Sequence, residues 1–180
     1  MTFEEKTIDS EIIYKGAILN LRKDKVEVLN GTSYREIIEH NGGAVILAMK
    51  DDGTVVMVKQ YRKAQDRIML EVPAGKIDLG EEPEVAAKRE LKEETGYTAK
   101  NIRLLTEMMP TPGYSEEILY IYLATGLIAG ETDFDENEAI DIIEYSINDL
   151  SNMVMSGEIQ DGKSQVAILM AKNLYDRNLI

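Results

Sequence analysis

Short apolar runs of strand length, separated by turn residues, occupy the first 72 residues of the chain. Asn30-Gly31 is a typical hairpin turn, and the Asp-Asp-Gly of residues 51–53 predicts a second turn. Pro73 stops the last of these runs, because proline cannot donate to a strand ladder. The segments that predict strands are residues 6–39, 44–50, 54–61 and 68–72.

The pattern becomes helical at residues 82–95, with Pro83 in the first turn and Gly96 placed to end the helix. Residues 131–141 hold six acids and no base, which is typical of a polar loop. Further strands are predicted at residues 102–109, 117–124 and 142–146, and further helices at 147–156 and 163–176. This order of elements predicts an α+β fold, with a mixed sheet flanked by helices.

The amino-acid composition excludes several kinds of functional site and partner. A chain of 180 residues that is 44% hydrophobic can bury the core of one domain. With no Cys and one His, it has no disulfide framework, no thiolate nucleophile and no multi-histidine metal site within one chain. A net charge of −13 argues against nucleic acid and anionic membranes as partners. We find neither a signal peptide nor an apolar stretch long enough to span a membrane, so we expect a cytoplasmic protein.

Acidic residues are concentrated on one side of the first predicted helix. Four residues are spaced to share that face: Glu90, Glu93, Glu94 and Tyr97. Carboxylates this close repel one another unless a cation lies among them, and hard divalent cations prefer carboxylate oxygens. Glu81 in the preceding loop can fold back to the same place, and Arg89 can hold a carboxylate in position. A solvated, charged surface helix is the alternative interpretation.

The spacing of this segment is specific. Gly75 is followed by five residues and Glu81, then by seven residues and the Arg-Glu-Leu-Lys-Glu-Glu-Thr-Gly-Tyr of residues 89–97. Every fixed position of the Nudix box is met, so the sequence resembles the Nudix hydrolase family. The resemblance implies hydrolysis of nucleoside diphosphates linked to another group, with Mg²⁺ or Mn²⁺ held on this loop, helix and loop.

The same resemblance implies roles for individual residues. Glu90 and Glu94 match principal metal ligands, and Glu93 matches an additional ligand or a partner of metal-bound water. Arg89 matches the residue that orients these glutamates, so Arg89 and Glu93 are expected to take part in catalysis. The residues expected at the metal site are Ala74 through its carbonyl, Glu81, Glu90, Glu93, Glu94 and Glu138.

Features outside the box resemble the ADP-ribose pyrophosphatases of that family. Pro112 lies in a Thr-Pro-Gly context 16 residues after the last glycine of the box, and residues 59–62 and 70–75 resemble the flanking strands. The resemblance then implies that the general base is a glutamate of the acidic loop, with Glu136 favoured and Glu138 the alternative. The residues expected to bind substrate are Arg35, Arg62, Glu71, Pro112 and Gly113. Tyr14, Tyr61 or Tyr114 is expected to stack on adenine.

The resemblance implies an α/β/α Nudix sandwich with a mixed sheet at residues 41–180. Residues 1–40 are expected to form a small antiparallel sheet that joins two copies as a homodimer. The expected reaction is Mg²⁺-dependent hydrolysis of ADP-ribose to AMP and ribose 5-phosphate, with Mn²⁺ as a second usable ion. The alternatives are another substrate (a sugar nucleotide, a dinucleoside polyphosphate or an oxidised dNTP), a non-catalytic ligand sensor, and an acidic Ca²⁺-binding protein.

Overall fold

A computed structural model describes residues 2–133 and 139–180 of the chain. These residues form two compact units, each with its own internal packing. The first comprises the residues up to Gly42 together with Met109–Ile118, and the second comprises Gly43–Met108 together with Leu119–Ile180. None of the helices in the described ranges is both long and apolar enough to cross a membrane.

The first unit contains a three-stranded antiparallel sheet in the order β1-β2-β3. Its strands are β1 (Thr7–Lys15), β2 (Asn20–Val28) and β3 (Gly31–Glu39). The predicted strands at residues 6–39 are therefore confirmed, but the hairpin turn lies one residue earlier than predicted. Leu29 and Asn30 form the turn, and Gly31 already pairs with Val28. The shift follows from the backbone, because the positive φ of 114° falls on Gly31, the residue type that tolerates it.

The second unit is built on a mixed sheet in the order β10-β5-β4-β9-β8, with β6 paired to β5 and β7 paired to β4. Its strands are β4 (Gly43–Met49), β5 (Thr54–Arg62), β6 (Arg67–Glu71), β7 (Ala74–Lys76), β8 (Tyr97–Met108), β9 (Leu119–Ala129) and β10 (Ile140–Ser146). Its helices are α1 (Pro83–Thr95), α2 (Ile147–Met155) and α3 (Gly162–Asp176). The pairing of β4 with β9 is parallel and the other pairings are antiparallel.

Two apolar cores cover the two faces of this sheet. Every residue of β4 is buried, and its side chains alternate between the cores. Val45 and Leu47 pack in the core that contains α2 and α3, whereas Ala44 and Ile46 pack in the core that contains Leu91 of α1. A strand covered on both faces reads as a continuous apolar run, as residues 44–50 do. The expected α/β/α sandwich with a mixed sheet is confirmed.

Helix α1 begins and ends where its sequence predicts. Pro83 occupies the first turn, where its missing N–H costs no hydrogen bond. Gly96 ends the helix in the left-handed conformation at φ 71°, and its N–H donates to the carbonyl of Lys92. Tyr97 is the first residue of β8, so its expected place on the helical face with the glutamates is wrong. The chain turns at Gly96 and leaves the helix before Tyr97 can join that face.

Candidate active site

Residues 72–76, which we call the loop and which include β7, lie against the second half of α1 with no space for a side chain at Gly75. A Cβ atom on Gly75 would lie 1.9 Å from the carboxyl carbon of Glu90. A heavy atom cannot be placed at that distance, so glycine is required for Glu90 to reach the loop backbone. The first glycine of the motif is therefore explained by the position of Glu90, the glutamate that follows Arg89 in the motif.

Glu94 fixes the same loop from one helical turn further along. Its side chain is buried, with 3% of the residue exposed, and its carboxylate accepts the N–H of Ala74 at 3.0 Å. The carbonyl of the preceding Pro73 accepts the N–H of Ile46 in β4 at 2.9 Å. The loop is thus held between the sheet and α1, with Ala74 next to the two glutamates that match metal ligands.

Arg89 lies at the centre of three carboxylates, an arrangement that we call the Arg89 cluster (Arg89, Glu81, Glu90 and Glu93). Its guanidinium donates to both oxygens of Glu81 at 3.0 and 2.9 Å, to Glu90 at 2.7 Å and to Glu93 at 3.0 Å. It also donates to the carbonyl of Lys76 at 3.0 Å. The cation that relieves the carboxylate repulsion in this structure is therefore the guanidinium of Arg89.

The electrostatics of the Arg89 cluster follow from these contacts. The hydrogen bond to Glu81 is the largest cause of a strongly raised pKa of Arg89. Conversely, the hydrogen bond from Arg89 lowers the pKa of Glu81. One positive and three negative charges leave a surplus of negative charge at the end of the loop. Such a surplus favours the approach of a further cation.

The donors here fit a hard divalent cation in chemistry. Glu90, Glu94 and the carbonyl of Ala74 offer oxygen ligands, the type that Mg²⁺ and Mn²⁺ prefer. Within residues 2–133 and 139–180, no group of three or more His, Cys, Asp or Glu side chains is arranged to hold a metal ion. Glu90 and Glu93 both accept from Arg89 in this arrangement. The predicted Glu136 and Glu138 lie outside the described residues.

A second ion cluster lies where β6 ends, and we call it the Glu71 cluster (Glu71, Arg62, Lys163 and Asp161). Glu71 is 1% exposed and accepts two hydrogen bonds from Arg62, both at 2.8 Å. Lys163, at the start of α3, also donates to Glu71 and lies 3.0 Å from Asp161. Burial alone raises the pKa of Glu71, but Arg62 and Lys163 outweigh it and lower the pKa overall. The hydrogen bond to Glu71 in turn raises the pKa of Arg62.

Three of the remaining predicted residues, Arg35, Pro112 and Gly113, belong to the first unit. Arg35 is on β3, where it pairs with Glu5. Pro112 and Gly113 belong to the segment that packs within the first unit. The structure thus brings together the box residues Ala74, Glu81, Arg89, Glu90, Glu93 and Glu94, and it pairs Arg62 with Glu71 nearby in the chain. The three candidate stacking residues, Tyr14, Tyr61 and Tyr114, are all exposed.

Sequence reasoning did not identify Lys163 or Asp161. Asp161 caps α3 by accepting the N–H of Ser164 at 3.0 Å, and an Asp three residues before a Ser is a recognisable start signal for a helix. That signal predicts where α3 begins. It does not predict the contact between Lys163 and Glu71, which are 92 positions apart.

Comparisons with known proteins show what the chain is similar to. The profile of the NUDIX domain matches residues 39–165. The chain is 42% identical over 170 residues to an ADP-ribose pyrophosphatase of Bacillus subtilis, covering 93% of this chain and 92% of the relative. It is 40% identical to a methanol dehydrogenase activator of Bacillus methanolicus, covering 92% of this chain and 91% of that protein. A solved structure of an ADP compounds hydrolase matches with a TM-score of 0.86, 18% identity, and coverage of 100% and 99%. At that identity the last likeness shows the fold alone.

Proposed function

Because the chain belongs to the Nudix family, we propose that it hydrolyses the pyrophosphate bond of ADP-ribose, giving AMP and ribose 5-phosphate. The observation that carries the proposal is the contact of Glu90 and Glu94 with the loop at Gly75 and Ala74. The name of the Bacillus subtilis relative, and that of an ADP-ribose pyrophosphatase of Mycobacterium tuberculosis at 39% identity over 91% of this chain, support the substrate. A cytoplasmic location is part of the same proposal.

A divalent cation, Mg²⁺ or Mn²⁺, would be held by oxygen ligands of the box. We propose Ala74 through its carbonyl, Glu81, Glu90, Glu93, Glu94 and Glu138 as those ligands. When bound, the ion would neutralise phosphate charge and make a bound water more acidic. Arg89 orients the carboxylates of Glu81, Glu90 and Glu93 by direct hydrogen bonds. This orientation is the role in catalysis that we propose for Arg89.

The remaining proposed roles concern the proton and the substrate. Glu136 accepts the proton of the attacking water, with Glu138 as the alternative base. Arg62, held by Glu71, binds an anionic group of the substrate. Arg35, Pro112 and Gly113 are the other residues that we propose to contact the substrate, and one of the exposed tyrosines stacks on adenine.

We also propose a homodimer in which the N-terminal region, residues 1–40, contacts a second copy, while residues 41–180 carry catalysis. The support is the exposure of β1, where Ile8, Ile12 and Ile13 are 51%, 41% and 50% exposed. A small sheet with such a face is only marginally stable without a covering partner. Sedimentation at micromolar concentration should give twice the monomer mass, and a monomer at that concentration contradicts the dimer.

A panel of substrates with Mg²⁺ tests the reaction. We expect the highest kcat/KM with ADP-ribose, compared with GDP-mannose, a dinucleoside polyphosphate and an oxidised dNTP. GDP-mannose is the sharpest competitor, because a GDP-mannose pyrophosphatase of Klebsiella pneumoniae is 33% identical over 74% of this chain. Faster turnover of any competitor shows that the assigned substrate is wrong.

A regulatory role is the second candidate, favoured by the name of the Bacillus methanolicus relative, methanol dehydrogenase activator. The two candidates differ in what they require of the box. An enzyme should hydrolyse ADP-ribose, and the Glu94→Gln variant should not. A non-catalytic sensor should bind the nucleotide without hydrolysing it. Calorimetric titration with ADP-ribose, followed by product analysis of the same sample, separates them.

A further inference from the structure

The first residues of α3 contact two features of the candidate site that precede the Nudix box in the chain. We call residues 161–164, Asp-Gly-Lys-Ser, the α3 anchor. Ser164 and Lys163 of this anchor contact consecutive residues, Val72 and Glu71 respectively. The anchor lies more than 60 residues after the box, so its link to the site exists only in the folded chain.

The first contact fixes the backbone of the loop. The hydroxyl of Ser164, which is fully buried, accepts the N–H of Val72 at 2.9 Å. Ser164 is itself held, because its N–H donates to Asp161 at 3.0 Å and its hydroxyl to the same carboxylate at 2.5 Å. Val72 is two residues before Ala74, whose N–H donates to Glu94. The loop is therefore fixed at one end by α3 and at the other by α1.

The second contact fixes a side chain. Lys163 is 12% exposed at its side chain and donates to the oxygen of Glu71 that also accepts from Nη2 of Arg62. Arg62 uses Nε and Nη2 for Glu71, so Nη1 lies on the far side of the guanidinium. The Arg62 side chain is 39% exposed and reaches solvent, whereas the side chains of Lys163 and Glu71 are only 12% and 1% exposed.

We infer that Lys163 is a positioning residue, which fixes the Glu71 carboxylate so that Glu71 directs the guanidinium of Arg62 toward an anionic group of the substrate. The inference rests on the proposed function in that it assigns the anion to the nucleotide substrate. Arg62 and Lys163 share the buried carboxylate of Glu71, and Lys163 also pairs with Asp161, so the charges of the cluster balance. Without Lys163, Glu71 is held by Arg62 alone, so the carboxylate and the guanidinium can shift together.

Kinetics of Lys163→Met provide the first test, with Lys172→Met as the matched control. Lys172 lies on the same helix, where it pairs with Asp176. We expect Lys163→Met to raise KM for ADP-ribose about tenfold with kcat changed less than about threefold, since uniform binding is lost. The control should stay within twofold of the wild type for both constants. An unchanged KM in Lys163→Met overturns the inference.

A double-mutant cycle tests whether Lys163 acts through Glu71. In a Glu71→Gln background, Lys163→Met should change KM by less than about twofold, because the group through which it acts is already lost. A further tenfold rise in that background means that Lys163 contacts the substrate by another route, which contradicts the inference. If Lys163→Met does not fold, as judged by circular dichroism, Lys163→Gln replaces it with the same expectations.

A readout without substrate separates this inference from the proposed function. The Nε–H of Arg62 donates to Glu71, so its hydrogen should exchange slowly with water. NMR of ¹⁵N-labelled protein measures this exchange rate. We expect Lys163→Met to speed that exchange about tenfold, and Lys172→Met to leave it unchanged. Unchanged exchange in Lys163→Met overturns the positioning role. If the wild type does not turn over ADP-ribose, the proposed function is wrong. Faster exchange in Lys163→Met would still support the positioning role in that case.

Discussion

The two ion clusters of the second unit have opposite compositions. In the Arg89 cluster, one guanidinium pairs with three carboxylates. The side chains of Glu81 and Glu90 are each 13% exposed, and that of Glu93 is 35% exposed. In the Glu71 cluster, one carboxylate that is 1% exposed serves two cations, and one of these also pairs with Asp161. The first has surplus negative charge near solvent, and the second is balanced and largely enclosed.

The difference in charge and burial suits the two clusters to different roles. A surplus of negative charge on partly buried carboxylates is costly until a cation binds among them, so the Arg89 cluster is suited to bind an ion. A buried and balanced cluster holds its groups in one geometry, because any change leaves a buried charge unpaired. The Glu71 cluster is therefore suited to orient Arg62. The hydrogen bond to Glu71 is the largest cause of the raised pKa of Arg62, and the charge of Glu94, which belongs to neither cluster, also contributes.

The largest expected effect comes from Glu94→Gln, which removes a negative charge beside the Arg89 cluster while leaving an oxygen to accept the N–H of Ala74. We expect kcat for ADP-ribose to fall by several hundred-fold, about 4 kcal/mol, as for loss of a metal ligand. Steady-state kinetics with Mg²⁺ measure this. Glu84→Gln, on the exposed side of the same helix beside Lys88, is the matched control and should remain within twofold. Equal activity of the two variants contradicts the role of Glu94.

Gly75→Ala should have the next largest effect. A Cβ atom 1.9 Å from the Glu90 carboxyl forces that side chain away from the loop. We expect kcat/KM to fall about thirtyfold, or about 2 kcal/mol, because a ligand is misplaced rather than removed. Gly162→Ala is the control, since a Cβ atom there meets nothing within 4 Å. If both alanine variants lose activity equally, glycine is not needed at residue 75 for the position of Glu90.

Local signals predicted much of the fold. Pro83 and Gly96 mark the ends of α1 in the sequence, and the apolar run at residues 44–50 is buried on both faces as β4. Strand β7 was not predicted, because three residues carry no periodic pattern and pair only when β4 is already in place. Strand β8 begins at Tyr97, before its predicted start, and β9 continues to Ala129, past its predicted end, because these two ends pair with each other.

The candidate site was predictable where its residues share one helix or the loop before it. The motif spacing brings Glu90, Glu94 and Gly75 together without knowledge of the fold. What sequence could not show was which cation lies among the carboxylates, because the reach of Arg89 to Glu81 depends on how the loop folds back. The contact of Lys163 with Glu71 depends on packing of α3 on the sheet, which no local pattern encodes.

Glu71→Gln tests the enclosed cluster through pH. The pKa of Glu71 is lowered in the folded protein, so its charge stabilises the fold above the ordinary carboxyl pKa. That contribution is lost as the pH falls through the lowered value. We expect Glu71→Gln to cost about 2 kcal/mol of unfolding free energy at pH 7, since two cations lose their carboxylate. The cost should shrink steadily toward pH 3 in urea titrations, and a cost independent of pH would contradict the charge-based explanation.

Arg89→Met gives the smallest expected effect and tests the exposed cluster. Loss of the guanidinium leaves Glu81, Glu90 and Glu93 facing one another, and we expect a cost of about 1 kcal/mol in unfolding free energy, because solvent screens these groups. Lys88→Met, which breaks only the exposed pair with Glu84, should cost less than about 0.5 kcal/mol. Because the remaining interaction is repulsion near solvent, the Arg89→Met cost should fall as NaCl is raised to about 0.5 M. Mg²⁺ should reduce it at lower concentrations than Na⁺ does, since a divalent ion can take the place that the guanidinium occupied among the carboxylates. If the two ions reduce the cost equally at matched ionic strength, they only screen the charges of the cluster and are not bound by it.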